Sequence, residues 1–221
     1  VGHGLVELKQ DDLRVLKNGQ TEEKGLRAVI GAGTGLGQAV LSPVHSGWRV
    51  WSTEGGHTDF APQDALQQQI LSRLFQQYSH VSYERLLSGD GIQLLYRFVS
   101  EQEGVEVPAK SAQQISASAL DVSDPLAAKA MQVFMQIYGA QAGNLALTTL
   151  PSSGLFIAGG IALRNLPLFE QPYFMEAFLA KGRMQGVLER IPVYLITHPE
   201  VGLLGARLLA QKALYNVRHD R

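Results

Sequence analysis

Cysteine is absent from this chain of 221 residues. Its absence excludes disulfide bonds, thiol nucleophiles and cysteine-ligated zinc, and it agrees with a reducing compartment such as the cytoplasm. No apolar run reaches the roughly 18 residues that a membrane-spanning helix needs. Neither charge is in excess, because 19 Lys and Arg face 20 Asp and Glu without any basic block. From these absences we predict a cytoplasmic protein that contacts neither a membrane nor nucleic acid.

The residues that are present have the composition of an ordinary globular protein, with 45% hydrophobic residues. The length suits one domain, or one domain with an insertion. Three short β-rich runs come first, at residues 27–30, 38–41 and 48–53, with a turn at His45-Ser46-Gly47 before the third. Short runs separated by glycine-containing turns predict an antiparallel meander.

The hydrophobic period changes to that of a helix after Pro62. Residues 1–24 are polar and mixed, and we predict a short helix and a loop there. Two buried-strand runs, 154–158 and 192–197, alternate with the last helices. The predicted helices lie at about 66–78, 92–99, 125–147, 173–180 and 201–214.

This order predicts an α/β fold with a mixed five-stranded sheet, the antiparallel meander first and helices on both faces. We expect one lobe over residues 1–221, with a helical insertion at about 60–150. The same element order resembles the ribonuclease-H-like unit of actin-like ATPases and sugar kinases.

The segment Gly31-Ala-Gly-Thr-Gly-Leu-Gly37 has glycine at alternate positions. Such glycines let a turn reach positive φ and let backbone N–H groups converge on phosphate oxygens, to which the Thr34 hydroxyl would add a donor. The spacing is not that of a Rossmann fingerprint, and there is no Gly-Lys-Ser/Thr of a Walker loop. A plain hairpin turn explains the loop equally well, so the loop alone leaves both readings open.

Three further segments carry polar or glycine patterns of interest. In Glu54-Gly-Gly-His57 a carboxylate and an imidazole can share one cleft, which suits sugar hydroxyls, although a surface turn is the simpler alternative. Ser82 is a natural N-cap and Gly89 a natural helix end, so Glu84 is predicted in the first turn of a helix. The helix dipole favours a carboxylate there, which accounts for Glu84 without any function. Gly159-Gly160 follows a buried strand, where it permits either a nucleoside against the backbone or close helix packing.

Taken in order, these segments resemble bacterial glucokinases. The chain lacks the Cys-rich zinc site of the related ROK kinases, so the resemblance is to the non-ROK type. The resemblance covers about residues 1–210 and includes Gly143-Asn-Leu-Ala-Leu147 and Gly202-Leu-Leu-Gly205. It implies an actin-like two-lobed kinase that uses ATP and Mg²⁺ to phosphorylate the 6-hydroxyl of glucose. The main matching segments are Gly31–Gly37, Glu54–Pro62, Tyr83–Gly89, Phe156–Ile161 and Pro192–Ile196.

The resemblance also implies roles for individual residues, and it implies no metal ligand among them. The implied roles are ATP-phosphate contact for Gly33, Thr34 and Gly35, glucose contact for Glu54, His57 and Glu84, and an adenosine pocket at Gly159 and Gly160.

Two elements of that family are not found in the chain, the D-x-G-G-T phosphate loop and the I-N-D-F segment with its general-base Asp. Because Val1-Gly-His-Gly-Leu5 resembles the continuation of I-N-D-F, we expect the catalytic Asp just before Val1. We therefore expect a large C-terminal lobe that alone binds sugar and nucleotide weakly without turnover. The alternative is a non-catalytic binding fragment, or half of a split protein. A homodimer is expected for the intact protein, with the apolar stretch 163–178 as one candidate contact.

Overall fold

A mixed β-sheet forms the centre of the protein in the computed structural model, which describes residues 1–45 and 47–219. In the described part the sheet has six strands in the order β1-β6-β5-β2-β3-β4. The predicted turn residue Ser46 lies outside the described residues. The strands are β1 (Leu13–Lys17), β2 (Arg27–Ala32), β3 (Leu36–Val44), β4 (Gly47–Thr53), β5 (Gly154–Ala158) and β6 (Val193–Ile196).

The pairing of the strands confirms the predicted meander and the mixed sheet. Strands β2, β3 and β4 are successively antiparallel, with Ala32 opposite Leu36 at the first turn. Strand β5 runs parallel to β2 on one side and to β6 on the other. The carboxyl ends of β2 and β5 therefore lie side by side, with the glycine loop after one and Gly159-Gly160 after the other.

The predicted count of five strands is wrong, because residues 1–24 contain a strand as well as a short helix. Strand β1 pairs antiparallel with β6, so Leu13 lies opposite Ile196. It is an edge strand, and Val15 at its centre is 49% exposed. Its sequence, Leu-Arg-Val-Leu-Lys, therefore has little of the apolar alternation that marks a half-buried strand, and its partner lies far away in the chain.

Helices cover both faces of the sheet, as predicted. Side chains of β2 alternate between the faces: Ala28 and Ile30 pack in the large core with the central helices, whereas Val29 packs in a smaller core with Leu5 and Val201. The described helices are α1 (Gly2–Leu5), α2 (Ala65–Leu74), α3 (Gly89–Gln102), α4 (Ala112–Leu120), α5 (Pro125–Thr149), α6 (Gly160–Arg164), α7 (Leu166–Phe169), α8 (Pro172–Leu179), α9 (Gln185–Arg190) and α10 (Val201–His219).

The long helix α5 begins where the sequence predicts. The Asp124 carboxylate accepts hydrogen bonds from the N–H groups of Leu126 and Ala127. Burial disfavours its ionised form, but the Lys110 ammonium at 2.7 Å, the Tyr96 hydroxyl and these two amides outweigh burial and lower the pKa of Asp124 to about 2. The start of α5 is thus held by a carboxylate that stays ionised far into acid.

The hydroxyl of Tyr138 connects α5 to the sheet. Its ring is fully buried and makes edge-on contacts with the rings of Phe134 and Phe174. The hydroxyl accepts a hydrogen bond from the Ala32 N–H at 3.2 Å and donates to the Ile30 carbonyl at 3.4 Å. Burial raises the pKa of this phenol far above its usual value. Helix α5 therefore fixes the strand that leads into the glycine loop.

Two smaller features of the helical layer bear on the predictions. Gly89 was expected to end a helix, but it begins α3, whose first turn is capped by the Ser88 hydroxyl through the Gly91 N–H. The apolar stretch 163–178 packs largely inward, with Phe169, Phe174 and Phe178 buried. None of the described helices is long and apolar enough to cross a bilayer.

Candidate functional site

The glycine loop is a hairpin turn between β2 and β3 that carries Thr34 at its exposed tip. The Gly33 N–H donates to the Gly35 carbonyl at 2.8 Å, and the Gly89 N–H donates to the Gly33 carbonyl at 3.0 Å. These bonds attach the turn to the start of α3. The expectation that its glycines adopt positive φ is wrong, since none of residues 31–37 does. Glycine is needed here for close approach.

That close approach is between Gly35 and the side chain of Glu84. A Cβ atom at Gly35 would lie 2.5 Å from the Glu84 Oε2 atom, closer than real contacts allow. The same Oε2 accepts a hydrogen bond from the Leu36 N–H at 2.8 Å. Glu84 itself lies in a 3₁₀ turn, Tyr83–Arg85, and its side chain is 31% exposed. One oxygen is thus held by the hairpin, and the other, Oε1, lies 3.7 Å from His57 Nε2.

The Glu54–His57 segment forms a second 3₁₀ turn, Gly55–His57, directly after β4. Gly56 packs against the Leu36 carbonyl and Gly55 against the Gln38 side chain, and a Cβ atom at either position would collide with them. Both glycines therefore let the turn lie flat on β3. The sequence interpretation of these glycines as the source of a tight fold agrees with this packing.

Backbone pairing joins the two 3₁₀ turns. The Phe60 N–H donates to the Val81 carbonyl at 2.9 Å, and the Tyr83 N–H donates to the Thr58 carbonyl at 3.1 Å. The Phe60 and Tyr83 rings pack edge to face, with centroids 5.6 Å apart. Segments that are distant in sequence thereby lie side by side, and their ends carry His57 and Glu84.

The three polar side chains predicted to act together do converge. His57 Nε2 lies 3.7 Å from Glu84 Oε1 and 3.9 Å from Glu54 Oε2. Their side chains are 31% exposed for Glu84, 56% for His57 and 92% for Glu54, so the cluster opens outward from an anchored base. Two carboxylates and an imidazole can both donate to and accept from vicinal hydroxyl groups.

Two cavities meet at the tip of the glycine loop. The first, of about 710 Å³, is lined by Thr34, His57 and Glu84 among the predicted residues. The second, of about 480 Å³, is lined by Gly33, Thr34 and Gly160. Thr34 borders both. If each cavity held a ligand, the facing ends of the two ligands would lie on either side of Thr34.

The remaining predicted residues, Gly35, Gly159 and Glu54, line neither of these two cavities. Gly35 and Gly159 border a smaller cavity of about 320 Å³ together with Gly33. Gly159 has φ +97° and packs against the Ala32 carbonyl, so it is the tight turn between β5 and α6. Glu54 projects at the rim, at van der Waals range from His57. The structure therefore separates residues that face the cavities from residues that shape them.

Sequence reasoning missed several polar residues that line the cavities, among them Asp90, Gln93 and Arg164. Asp90 and Gln93 border both cavities, and Arg164 borders the second. The first two are three residues apart at the start of α3, so they share one helical face. The signal was available in Ser88-Gly-Asp-Gly91, once this segment is interpreted as the start of a helix rather than the end of one.

Residues 1–45 and 47–219 hold no group of three His, Asp or Glu side chains that would cage a metal ion. Mg²⁺ in phosphoryl-transfer sites ordinarily keeps substrate phosphates and waters as most of its ligands, with one or two carboxylates. Asp90 is a carboxylate that borders both cavities. The donor set thus fits an ion that arrives on phosphate groups.

Comparison with known proteins finds similar sequences and structures among glucokinases. The glucokinase of Synechocystis sp. is 40% identical, covering 96% of this chain and 66% of that protein. That of Trichormus variabilis is 41% identical, covering 96% and 68%. The crystal structure of a glucokinase from an Antarctic psychrotroph superposes with a TM-score of 0.84 at 33% identity, covering 93% of this chain and 64% of that one. The chain therefore spans about two thirds of the length of these relatives.

The sheet and its helical layers have the fold of actin-like sugar kinases. A family model described as Glucokinase matches residues 1–213. The chain belongs to the glucokinase family, which confirms the resemblance inferred from its ordered motifs.

Proposed function

We propose that the intact protein transfers the γ-phosphoryl group of ATP to the 6-hydroxyl of glucose. The observation that carries this proposal is the double position of Thr34, which borders both cavities. Phosphoryl transfer needs an acceptor hydroxyl in line with the phosphoryl donor, and two cavities that share one wall at a hydroxyl side chain supply that arrangement. The location that we propose is the cytoplasm, and the expected assembly is a homodimer.

In this proposal the sugar occupies the first cavity. Glu84 Oε1, His57 and the rim carboxylate of Glu54 bind its hydroxyl groups. The Glu84 carboxylate is anchored by the Leu36 N–H, so it meets the sugar without first losing conformational freedom. A hexose placed there is oriented by its hydroxyls, and positioning together with electrostatic stabilisation accounts for most of the catalysis in this class of reaction.

The nucleotide occupies the second cavity, with its phosphates towards the hairpin. The Thr34 N–H and hydroxyl face the phosphate oxygens. Gly33, whose own N–H is bonded to the Gly35 carbonyl, lies against the phosphates in the same cavity, and Gly35 lets the turn approach them closely. Gly160 lies against the adenosine, while Gly159 forms the turn that holds Gly160 in place. Mg²⁺ carried on the phosphates would supply charge neutralisation during transfer, and Asp90, which borders both cavities, is the carboxylate that would hold it through a water.

The carboxylates that border the first cavity all have another task in this scheme. Glu84 is hydrogen-bonded to the hairpin, and Asp90 lies at the start of α3 beside both cavities. We therefore propose that residues 1–221 bind both ligands and that the proton acceptor for the 6-hydroxyl is supplied by an Asp outside them. The alternatives are a non-catalytic binding fragment, which also binds without turnover, and half of a split protein, in which an added N-terminal lobe restores activity.

The test is a glucose- and ATP-dependent coupled NADPH assay on purified 1–221, together with calorimetric titration of glucose and of ATP. Binding of both ligands without turnover supports the proposal. Turnover near that of a complete glucokinase would show that the base lies within 1–221. Absence of any glucose binding, in a chain that is folded by circular dichroism, would reject the sugar site.

A further inference from the structure

Lys181 is a half-buried cation that bonds to neutral groups. It lies in the turn after α8, and its Nζ donates to the Ala140 carbonyl at 2.9 Å and to Asn144 Oδ1 at 2.7 Å, both on α5. Burial lowers the pKa of this ammonium. Within the described part of the chain, no carboxylate lies within 4 Å of Nζ. Burying a charge in this way is unfavourable unless hydrogen bonds replace those that the charge loses from water.

The ammonium determines which way the Asn144 amide points. Lys has donors and no acceptor, so the Asn144 oxygen must face Lys181 and the Asn144 nitrogen must face away. Nδ2 then donates to the Tyr83 hydroxyl at 3.0 Å and to Gln141 Oε1 at 3.1 Å. Because Gln141 accepts with its oxygen, its own nitrogen points to the Gly55 carbonyl at 3.5 Å.

The chain of hydrogen bonds ends at both segments of the sugar site. Tyr83 is adjacent to Glu84, and Gly55 lies between Glu54 and His57. Tyr83 is 2% exposed, and burial raises the pKa of its hydroxyl, so this group stays a neutral partner of Asn144. A single positive charge beside α5 therefore fixes the direction of the hydrogen bonds that reach both segments of the sugar site.

We propose that Lys181 and Asn144 are positioning residues for hexose binding, with the Lys181 ammonium orienting the amides that hold the Glu84 turn and the Glu54–His57 turn at their observed separation. This inference rests on the proposed function, since it assigns a role in the same sugar site. Neither side chain borders the first cavity, so both act through other residues.

A purely structural role is the competing explanation. The Lys181 stem passes over Gly143, where a Cβ atom would lie 2.7 Å from its Cε, so the contact also joins α8 to α5. The substitution Asn144→Asp separates the two roles. It keeps an acceptor for Lys181 and adds an opposite charge, which preserves the connection. Gln141 must then turn its nitrogen to the carboxylate, which places its oxygen against the Gly55 carbonyl.

The test uses 1–221 as wild type, Asn144→Asp, Lys181→Met and a control, Thr149→Val. Thr149 lies on the same helix, and its hydroxyl bonds only to the Leu145 carbonyl of that helix at 2.7 Å. Glucose affinity is measured by ¹H–¹⁵N NMR titration, and thermal unfolding is followed alongside. We expect Asn144→Asp and Lys181→Met to raise the Kd for glucose roughly 2- to 30-fold. Thr149→Val should leave Kd within about twofold.

The decisive outcome concerns Asn144→Asp. A weakened Kd with an unchanged or higher Tm supports positioning, because a structural connection alone would leave binding intact. Wild-type affinity in this variant overturns the proposal. If the wild-type chain binds no glucose, the proposed function fails, and the amide signals of Gly55, His57 and Glu84 in the sugar-free chain decide this inference. Displacement of these signals in both variants supports it, and unchanged signals reject it.

Discussion

The substitution Gly35→Ala gives a direct test of how the hairpin holds Glu84. The new Cβ atom would lie 2.5 Å from Glu84 Oε2, roughly 1 Å inside ordinary van der Waals contact. The nearest atom is the end of a flexible side chain rather than backbone, so the carboxylate moves and the fold changes little. Its hydrogen bond from the Leu36 N–H is lost in that movement.

The expected effect is on sugar affinity. A displaced carboxylate loses its charge-assisted hydrogen bonds to the sugar, worth about 1.5–3 kcal/mol each when dry. The Glu84 side chain is 31% exposed, which places the loss near the lower end, at about 1.5–2 kcal/mol. The Kd for glucose should therefore rise about 10- to 30-fold.

Gly37→Ala is the matched control, because it makes the same change in the same hairpin. No atom lies within 4 Å of the Cβ position at Gly37. Glucose titration by calorimetry, with thermal unfolding of both variants, provides the assay. Equal affinities for the two variants would refute the account of Gly35, as would a large loss of Tm in Gly35→Ala alone.

Three further predictions concern stability. Gly159→Ala combines φ +97° with a collision against the Ala32 backbone, so it should lower the free energy of unfolding by about 2–4 kcal/mol. Gly182→Ala, at φ +53° in open space, should lower it by only about 1 kcal/mol. Similar Tm values for the two variants would contradict this. The depressed pKa of Asp124 contributes stability above the unfolded value near 3.9 that is lost as pH falls towards 2. Urea unfolding of wild type and Asp124→Asn should thus differ by about 1–2 kcal/mol at pH 7 and converge near pH 2, and a constant difference would be inconsistent. Tyr138→Phe should cost about 1–2 kcal/mol by leaving the Ala32 N–H unpaired, with a normal core by near-UV circular dichroism; an unchanged free energy would reject this role.

Local sequence signals predicted most of the buried elements. The meander, the long helix after Asp124 and the strands β5 and β6 follow from local pattern and capping. Strand β1 was missed because an exposed edge strand needs no apolar alternation and because its partner β6 is remote in sequence. Gly89 was assigned to the wrong end of a helix, because glycine after a polar turn is compatible with either end. The Ser88 cap decides that it begins α3.

The segments that carry the site were found in the sequence, but the roles of their residues came from the family resemblance. Residue type suggested one cleft for Glu54 and His57, whereas Glu84 was added only through the family resemblance. The 3.7 Å and 3.9 Å separations follow from backbone pairing that the sequence does not display. The loop glycines do not adopt positive φ. Glycine is required at Gly35 because the side chain of Glu84, 49 residues later in the chain, packs against it, and the local sequence does not show that contact. The bonds from Lys181 to Asn144 were equally out of reach, because amide orientation depends on tertiary contacts.

The central claim is that the two cavities at Thr34 receive a hexose and a nucleotide side by side. It is tested most directly by ¹H–¹⁵N NMR of 1–221 titrated with glucose and then with a non-hydrolysable ATP analogue. The account predicts that glucose shifts the amides of His57 and Glu84, that the nucleotide shifts those of Gly33 and Gly160, and that Thr34 responds to both. Signals that move elsewhere, or a Thr34 amide that responds to neither ligand, would contradict it.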